Sequence, residues 1–329
     1  MQRSDNYSMK VDTTNKWILD KSPDSPMKGR HARDLEFSHF TNRYRQKLSD
    51  SETFSMRFNR DSSLAAVSLT DGSLQIISTM LGDKLYEIKD DRMLFPVTNL
   101  TWLPTRGDAS QDAQKALGST VSGGIIRWTP QTSNSVEHIE LDRKSQYHAI
   151  DYAPDGRRFV IAGAQPTIDI YDEERMTKIQ TIGDKVEPAH TNKVFTCRYS
   201  HQSPGMLYSG GWDQQVKFWD VRANKMTHNI GGVQICGDAV DITKDMNLVV
   251  TGGGSKGEGV QLWDFRDMSK PLKTINWSMS DGGQKHNPLV NCCKFIPGQN
   301  LVLVGVNDSS AAKCFNYCTG EVVEQFNKV

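Results

Sequence analysis

The stretch Leu207-Tyr208-Ser209-Gly210-Gly211-Trp212-Asp213-Gln214-Gln215-Val216-Lys217-Phe218-Trp219-Asp220-Val221-Arg222 holds two short apolar runs around one polar turn. The first run closes on small residues. The second alternates apolar and polar side chains and ends in Trp-Asp. Alternation of period two marks a half-buried strand, and the Gly and Asp between the runs supply the backbone freedom of a tight hairpin. Just upstream, Val194-Phe195-Thr196-Cys197-Arg198-Tyr199 reads as another strand of the same kind.

The pattern recurs along the chain. Thr53-Phe54-Ser55-Met56-Arg57-Phe58 matches the 194–199 strand in its apolar positions, and Leu100-Thr101-Trp102, Ile150-Asp151-Tyr152, Val240-Asp241-Ile242 and Cys293-Lys294-Phe295 repeat its end. Second strands closed by small residues follow at Phe159-Val160-Ile161-Ala162-Gly163 and Leu248-Val249-Val250-Thr251-Gly252. Taking Ile77, Trp128, Tyr171, Trp219, Trp263 and Phe315 as equivalent gives spacings of 51, 43, 48, 44 and 52, a mean of about 48. Blades of four strands recur at roughly 40–45 residues plus loop variation. Six repeats are visible, over roughly residues 53–326.

This pattern resembles the WD-repeat β-propeller family. The likeness is strongest at Ser209-Gly210-Gly211-Trp212-Asp213 and Trp219-Asp220-Val221-Arg222, and Trp263-Asp264-Phe265-Arg266 is a second match. Tyr171-Asp172 keeps only the Asp, Phe315-Asn316 only the aromatic, and Ile77-Ser78 neither. The resemblance implies an all-β propeller over 53–329, preceded by a polar, basic extension over 1–52 that is expected to be partly disordered. Most members of the family close with seven blades. Residues 1–52 are expected to supply a degenerate seventh blade or a closing strand, because an open ring leaves an unpaired edge and Trp17-Ile18-Leu19 reads as a strand. Six against seven stays open in the sequence.

Composition narrows the function classes. The 329 residues carry 39 Lys+Arg against 39 Asp+Glu, which argues against a nucleic-acid binder that relies on bulk positive charge. No stretch approaches the roughly 18 apolar residues of a spanning helix, so no membrane insertion is expected. Six cysteines are too few for a disulfide scaffold, which points to reduced thiols and a cytoplasmic chain, with nuclear or cytoskeletal placement compatible too.

Several residues imitate catalytic groups. His190, Ser209 and Asp213 look like a hydrolytic triad, but no Gly-x-Ser-x-Gly elbow surrounds Ser209. The resemblance implies instead a structural tetrad of His190, Ser209, Asp213 and Trp219. Cys292-Cys293 and Cys314…Cys318 lack the spacing of a zinc site, and Cys197, Cys293 and Cys314 stand where small buried hydrophobes are expected. The glycine-rich run 252–259 leads into a strand at Val260, not into the helix that a phosphate loop requires. No enzyme activity, metal or cofactor is expected.

The expected function is a non-enzymatic scaffold that binds protein segments within a larger assembly. In the propeller that the resemblance implies, Trp212 precedes the turn Asp and faces solvent on the top, where exposed Trp dominates interface energy. Phe195, Lys193, Phe54, His148 and Asp308 are expected beside it, with Thr98, Asp238 and Asn291 in the same ring. For Phe54 and Phe195, packing between blades is the competing reading. The alternative function is substrate receptor of a cullin–RING ubiquitin ligase, docking its adaptor through Trp219, Asp220, Arg222, Trp263, Asp264 and Arg266. An intramolecular salt bridge is the competing role for those arginines. In the extension, Ser22 and Ser25 precede prolines and are candidate phosphorylation sites, and Phe37, Phe40, Tyr44 and Leu48 recur at helical spacing.

Overall fold

The computed structural model describes residues 7–11, 17–21 and 51–326, except 90–94, 105–113, 131–135, 142–144, 184–188, 256–258, 278, 282–283, 287 and 308–310. Six four-stranded antiparallel sheets follow one another at 53–88, 97–140, 147–182, 194–231, 240–275 and 290–326. They are the blades of a β-propeller, each wound from its inner to its outer strand in chain order. Among the described residues there is no α-helix. Two hairpins lie outside the blades, one pairing Tyr7–Val11 with Trp17–Lys21 and one pairing Met279–Asp281 with Gln284–His286.

Within the fourth blade, Val194–Tyr199, Met206–Gly211, Gln215–Asp220 and Lys225–Gly231 pair in order. The middle strands have neighbours on both faces and are buried almost throughout, whereas the outer strand is largely exposed. Ile77, Trp128, Tyr171, Trp219, Trp263 and Phe315 all fall at the same pairing position of their third strands, and all are buried. Trp128 is therefore in register with the others.

Blades adhere through apolar faces. Leu64, Ala66, Leu74 and Ile76 of the first blade pack on Val97, Leu100 and Trp102 of the second. Leu117 and Ile125 meet Tyr147, Ile150 and Phe159 of the third, which in turn sets Val160 and Ile170 against Cys197, Tyr199 and Trp219 of the fourth. One continuous cluster then runs from Tyr208 and Phe218 through Val249 and Trp263 to Val302 and Phe315, joining blades four, five and six. Each buried side chain of this size contributes on the order of 1.5–3 kcal/mol, so these seams dominate the stability of the ring. Among the described residues no such cluster joins the sixth blade to the first. At that junction Met56, Phe58 and Leu303 are 48%, 55% and 39% exposed.

A polar cluster holds the centre of the ring. Asp238, just before the inner strand of the fifth blade, accepts hydrogen bonds from Arg198 and Lys294 and pairs with Arg57 at 2.7 Å. Those three cations come from the fourth, sixth and first blades. Cys197, Cys293 and Cys314 are buried, and none of them is in a disulfide.

Candidate functional site

The top of the ring carries the turns between second and third strands together with the entries to the inner strands. In the fourth blade the Trp212-Asp213 turn closes with Gln214 at a positive φ of 61°. His190 Nδ1 lies 2.8 Å from Asp213 Oδ2, His190 Nε2 lies 2.7 Å from Ser209 Oγ, and Trp219 Nε1 donates to Ser209 Oγ at 2.9 Å. Ser209 accepts from Trp219, so its own proton points to His190 Nε2, which leaves the Nδ1 proton for Asp213. Backbone N–H groups of Thr191 and Gln215 also reach the Asp213 carboxylate. Burial pushes the Asp213 carboxyl up, but the His190 and backbone hydrogen bonds outweigh it and hold it below its usual range. His190, Ser209 and Trp219 are almost wholly buried. The four residues satisfy one another and pin the inner-strand entry to the turn; Ser209 is not presented to a substrate.

In five blades the inner-strand ladder skips one residue, and the skipped residues are Phe54, Thr98, His148, Phe195 and Asn291. A bulge of this kind re-aims the extra side chain. For two neighbouring blades the result is an aromatic stack. His148 lies parallel to Phe195 with centroids 4.8 Å apart, and Phe195 stacks on Trp212 at 5.0 Å. Lys193 Nζ sits 5.5 Å from the Trp212 ring centroid. Trp212 is still 40% exposed, so the stack ends in an open indole face. Burial and the Lys193 charge both lower the His148 pKa, which keeps that ring neutral near pH 7. Thr98 turns elsewhere, its Oγ1 bonding to Ser119 and Tyr147 carbonyls. Phe54 is 50% exposed and takes no part in the stack. Asp238 belongs to the ionic cluster at the centre of the ring.

The bottom rim holds the two Trp-Asp-x-Arg segments. Trp219 and Trp263 are buried and cannot touch a partner; Trp263 Nε1 donates to Thr251 Oγ1 as Trp219 does to Ser209. Asp220 accepts the backbone N–H of Arg222 and Ala223, and Asp264 accepts that of Arg266. Arg266 folds back on Asp264 through Nε at 3.1 Å and a terminal nitrogen at 2.9 Å. Of the six residues expected at an adaptor-docking surface, two are interior and one arginine is occupied within its own turn. Arg222 lines a groove of about 410 Å³ with His228, Phe265 and Asp220.

Comparison with known proteins follows the same geometry. The family profile described as WD domain, G-beta repeat, matches residues 182–220, the segment that contains the tetrad, the indole platform and Trp219-Asp220. The chain belongs to the WD-repeat β-propeller family. A guanine nucleotide-binding protein subunit beta of Oryza sativa subsp. japonica is 23% identical over 299 residues, 86% of this chain and 69% of that protein. The Zea mays subunit beta is 24% identical over 245 residues, with 58% of its own length spanned. The small ribosomal subunit protein RACK1 of Drosophila melanogaster is 30% identical over 125 residues, 37% of this chain and 35% of that one. Among solved structures, that of U3-55K superposes with a TM-score of 0.68 at 13% identity, covering 86% of this chain and 84% of the other.

As a WD-repeat chain, the molecule has one blade with the full tetrad and five that depart from it. Among the described residues no cluster of His, Cys, Asp and Glu is arranged to hold a metal ion. Asp308, Ser22, Ser25 and the 37–48 segment lie outside the described residues. Reading the sequence missed the cations around Asp238. The signal was available: Arg57, Thr101, Asp151, Arg198, Asp241 and Lys294 occupy one position of six successive inner strands, and charged residues in five of them mark a polar centre.

Proposed function

We propose that this WD-repeat propeller is a non-enzymatic scaffold that binds a partner protein segment on its top face, with Trp212, Phe195, His148 and Lys193 as the contact platform. The observation that carries the reading is the open Trp212 indole held on a stacked base, Phe195 and then His148. Pre-ordering the rings removes most of the rotamer entropy that a partner would otherwise have to freeze, which concentrates binding energy at that point. Lys193 at the rim adds one cation. The matching ligand is therefore a peptide segment that lays an aromatic or aliphatic side chain on the indole and sets a carboxylate near Lys193.

The relatives support a protein-interaction role in general terms, since they include guanine nucleotide-binding subunits and a ribosomal subunit protein. The test is proximity labelling in cells with wild type and Trp212→Ala. A defined set of neighbours lost in Trp212→Ala, at unchanged thermal stability, is the expected result. An unchanged neighbour list overturns the platform assignment.

A further inference from the structure

Loops on the bottom rim join the inner strand of each blade to its second strand. In three blades an aspartate stands three residues before that second strand: Asp61 before Leu64, Asp155 before Arg158 and Asp245 before Leu248. Each accepts the backbone N–H two residues ahead, from Ser63 at 2.9 Å, Arg157 at 2.9 Å and Asn247 at 3.2 Å. A side-chain oxygen used in this way fixes the turn, and Asp155 also pairs with Arg158 at 3.1 Å. In the fourth blade the second strand starts at Met206, so the equivalent position is Ser203. This loop is one residue longer: the Ser200 N–H reaches the carbonyl six positions on, whereas those of Asn59, Ala153 and Thr243 reach five positions on. Among the described residues neither the Ser203 hydroxyl nor the Gly205 N–H two residues ahead has a partner. Pro204 follows Ser203, and His201, Gln202 and Pro204 are exposed.

The arginines of the two Trp-Asp-x-Arg segments also differ. Arg266 doubles back on Asp264, whereas Arg222 leaves Asp220 to the backbone and lies against Gly205, its Nε 3.8 Å from the place of a Cβ there. Among the described residues no carboxylate pairs with the Arg222 guanidinium. Ser203, Arg222 and His228 line one groove, with the His228 ring tilted on Phe265 at 5.2 Å.

We propose that Ser203 is a phosphorylation site for a proline-directed serine/threonine kinase, with Arg222 and His228 placed to receive the phosphate. ATP is the donor. Ser203 Oγ bonds to the γ-phosphorus, the bond from that phosphorus to the β–γ bridging oxygen breaks, ADP leaves, and the hydroxyl proton passes to the kinase's catalytic base. The product puts at position 203 the negative charge that three sister loops carry as aspartate, and the Gly205 N–H is there to donate to it. Asp220 is the one carboxylate lining the groove, and its Oδ1 is held by the Arg222 and Ala223 N–H groups. A phosphate paired with Arg222 fills the groove and reverses its charge, which shuts out a partner segment that would enter with carboxylates.

The test incubates the full-length protein with ATP and an activated mitogen-activated protein kinase, and maps the phosphopeptides by mass spectrometry. The expected result is phosphate on Ser203. In ³¹P NMR that phosphate should titrate below the second pKa of about 6 of free phosphoserine, and Arg222→Ala should move it back towards that value. Absence of phosphate from Ser203, whatever the state of Ser22 and Ser25, overturns the inference. A Ser203 phosphate whose titration is the same in Arg222→Ala overturns it too. Ser203→Asp gives a second reading that needs no kinase. It restores the carboxylate of the sister loops and should raise the melting temperature by about 2 °C, whereas a melting temperature below that of wild type contradicts an anion site in this loop.

Discussion

Two aspartates near the centre of the ring show how neighbours, not depth alone, set a carboxyl's charge. Burial raises the pKa of Asp238, but Arg198 and Lys294 overcome it and the group is held below its ordinary value. Among the described residues no cation is bonded to Asp151. Its oxygens accept the Tyr199 N–H and the Thr101 hydroxyl, and burial pushes it up to about 6. The two therefore act on stability with opposite signs. The contribution of Asp238 is present above its unfolded value and lost as pH falls through the depressed one. That of Asp151 is complete below its unfolded value of 3.8 and is lost as pH rises through about 6. Asp151→Asn should therefore raise stability by on the order of 1–3 kcal/mol at about pH 7.5, and should flatten the fall in stability from about pH 5 to pH 7.5. Denaturant melts of both proteins across that range measure it. The Ser209 hydroxyl is a second single-residue test, since it satisfies both Trp219 and His190 in a buried site. Ser209→Ala should cost roughly 1–3 kcal/mol by leaving those groups unpaired. Ser209→Thr should recover much of that, because Thr251 serves Trp263 in the same way.

At the scale of the blade, strand order and register were legible because each strand's apolar residues alternate and each third strand carries a bulky residue at one fixed place. Even Ile77, with neither Trp nor Asp around it, is located by spacing alone. The inner-strand bulge was less legible. Phe195 and His148 look like ordinary strand residues, and only the skipped pairings in the two blades show why they meet. The Trp-Asp-x-Arg segments show the reverse error. The motif is plain in sequence, but the aspartates are committed to their own turns and the indoles to the interior. Arg266 is 77% exposed and pairs with Asp264, a geometry that contributes little in water. Arg266→Ala should therefore leave the melting temperature unchanged, which thermal unfolding followed by circular dichroism would check.

For the whole molecule, no apolar cluster among the described residues joins the last and first blades, which raises the importance of the central ionic cluster. Asp238 reaches Arg57 of the first blade, Arg198 of the fourth and Lys294 of the sixth, and so ties together the two ends of the ring. Asp238→Ala would leave three cations facing one another with no counter-charge. The expected loss is about 3–5 kcal/mol, because removing one partner of a buried charge network is far more costly than never having built it. Arg57→Met should cost less, since Asp238 keeps two cations. Equilibrium denaturation of the two variants ranks them. The shared inner-strand position of Arg57, Arg198 and Lys294 was legible as a polar centre, but their convergence on Asp238, which lies outside that column and 181, 40 and 56 positions from them, was not.

Under the proposed function, the ring presents the Trp212 platform to a partner segment. The measurement that tests it most directly is the affinity of a purified partner segment for wild type, Trp212→Phe and Trp212→Ala, by isothermal titration calorimetry. The expected loss for Trp212→Ala is at least about 2 kcal/mol, roughly 30-fold in Kd. Trp212→Phe, which keeps a ring on Phe195, should lose much less. Equal affinities for all three proteins, each with native melting behaviour, would contradict it.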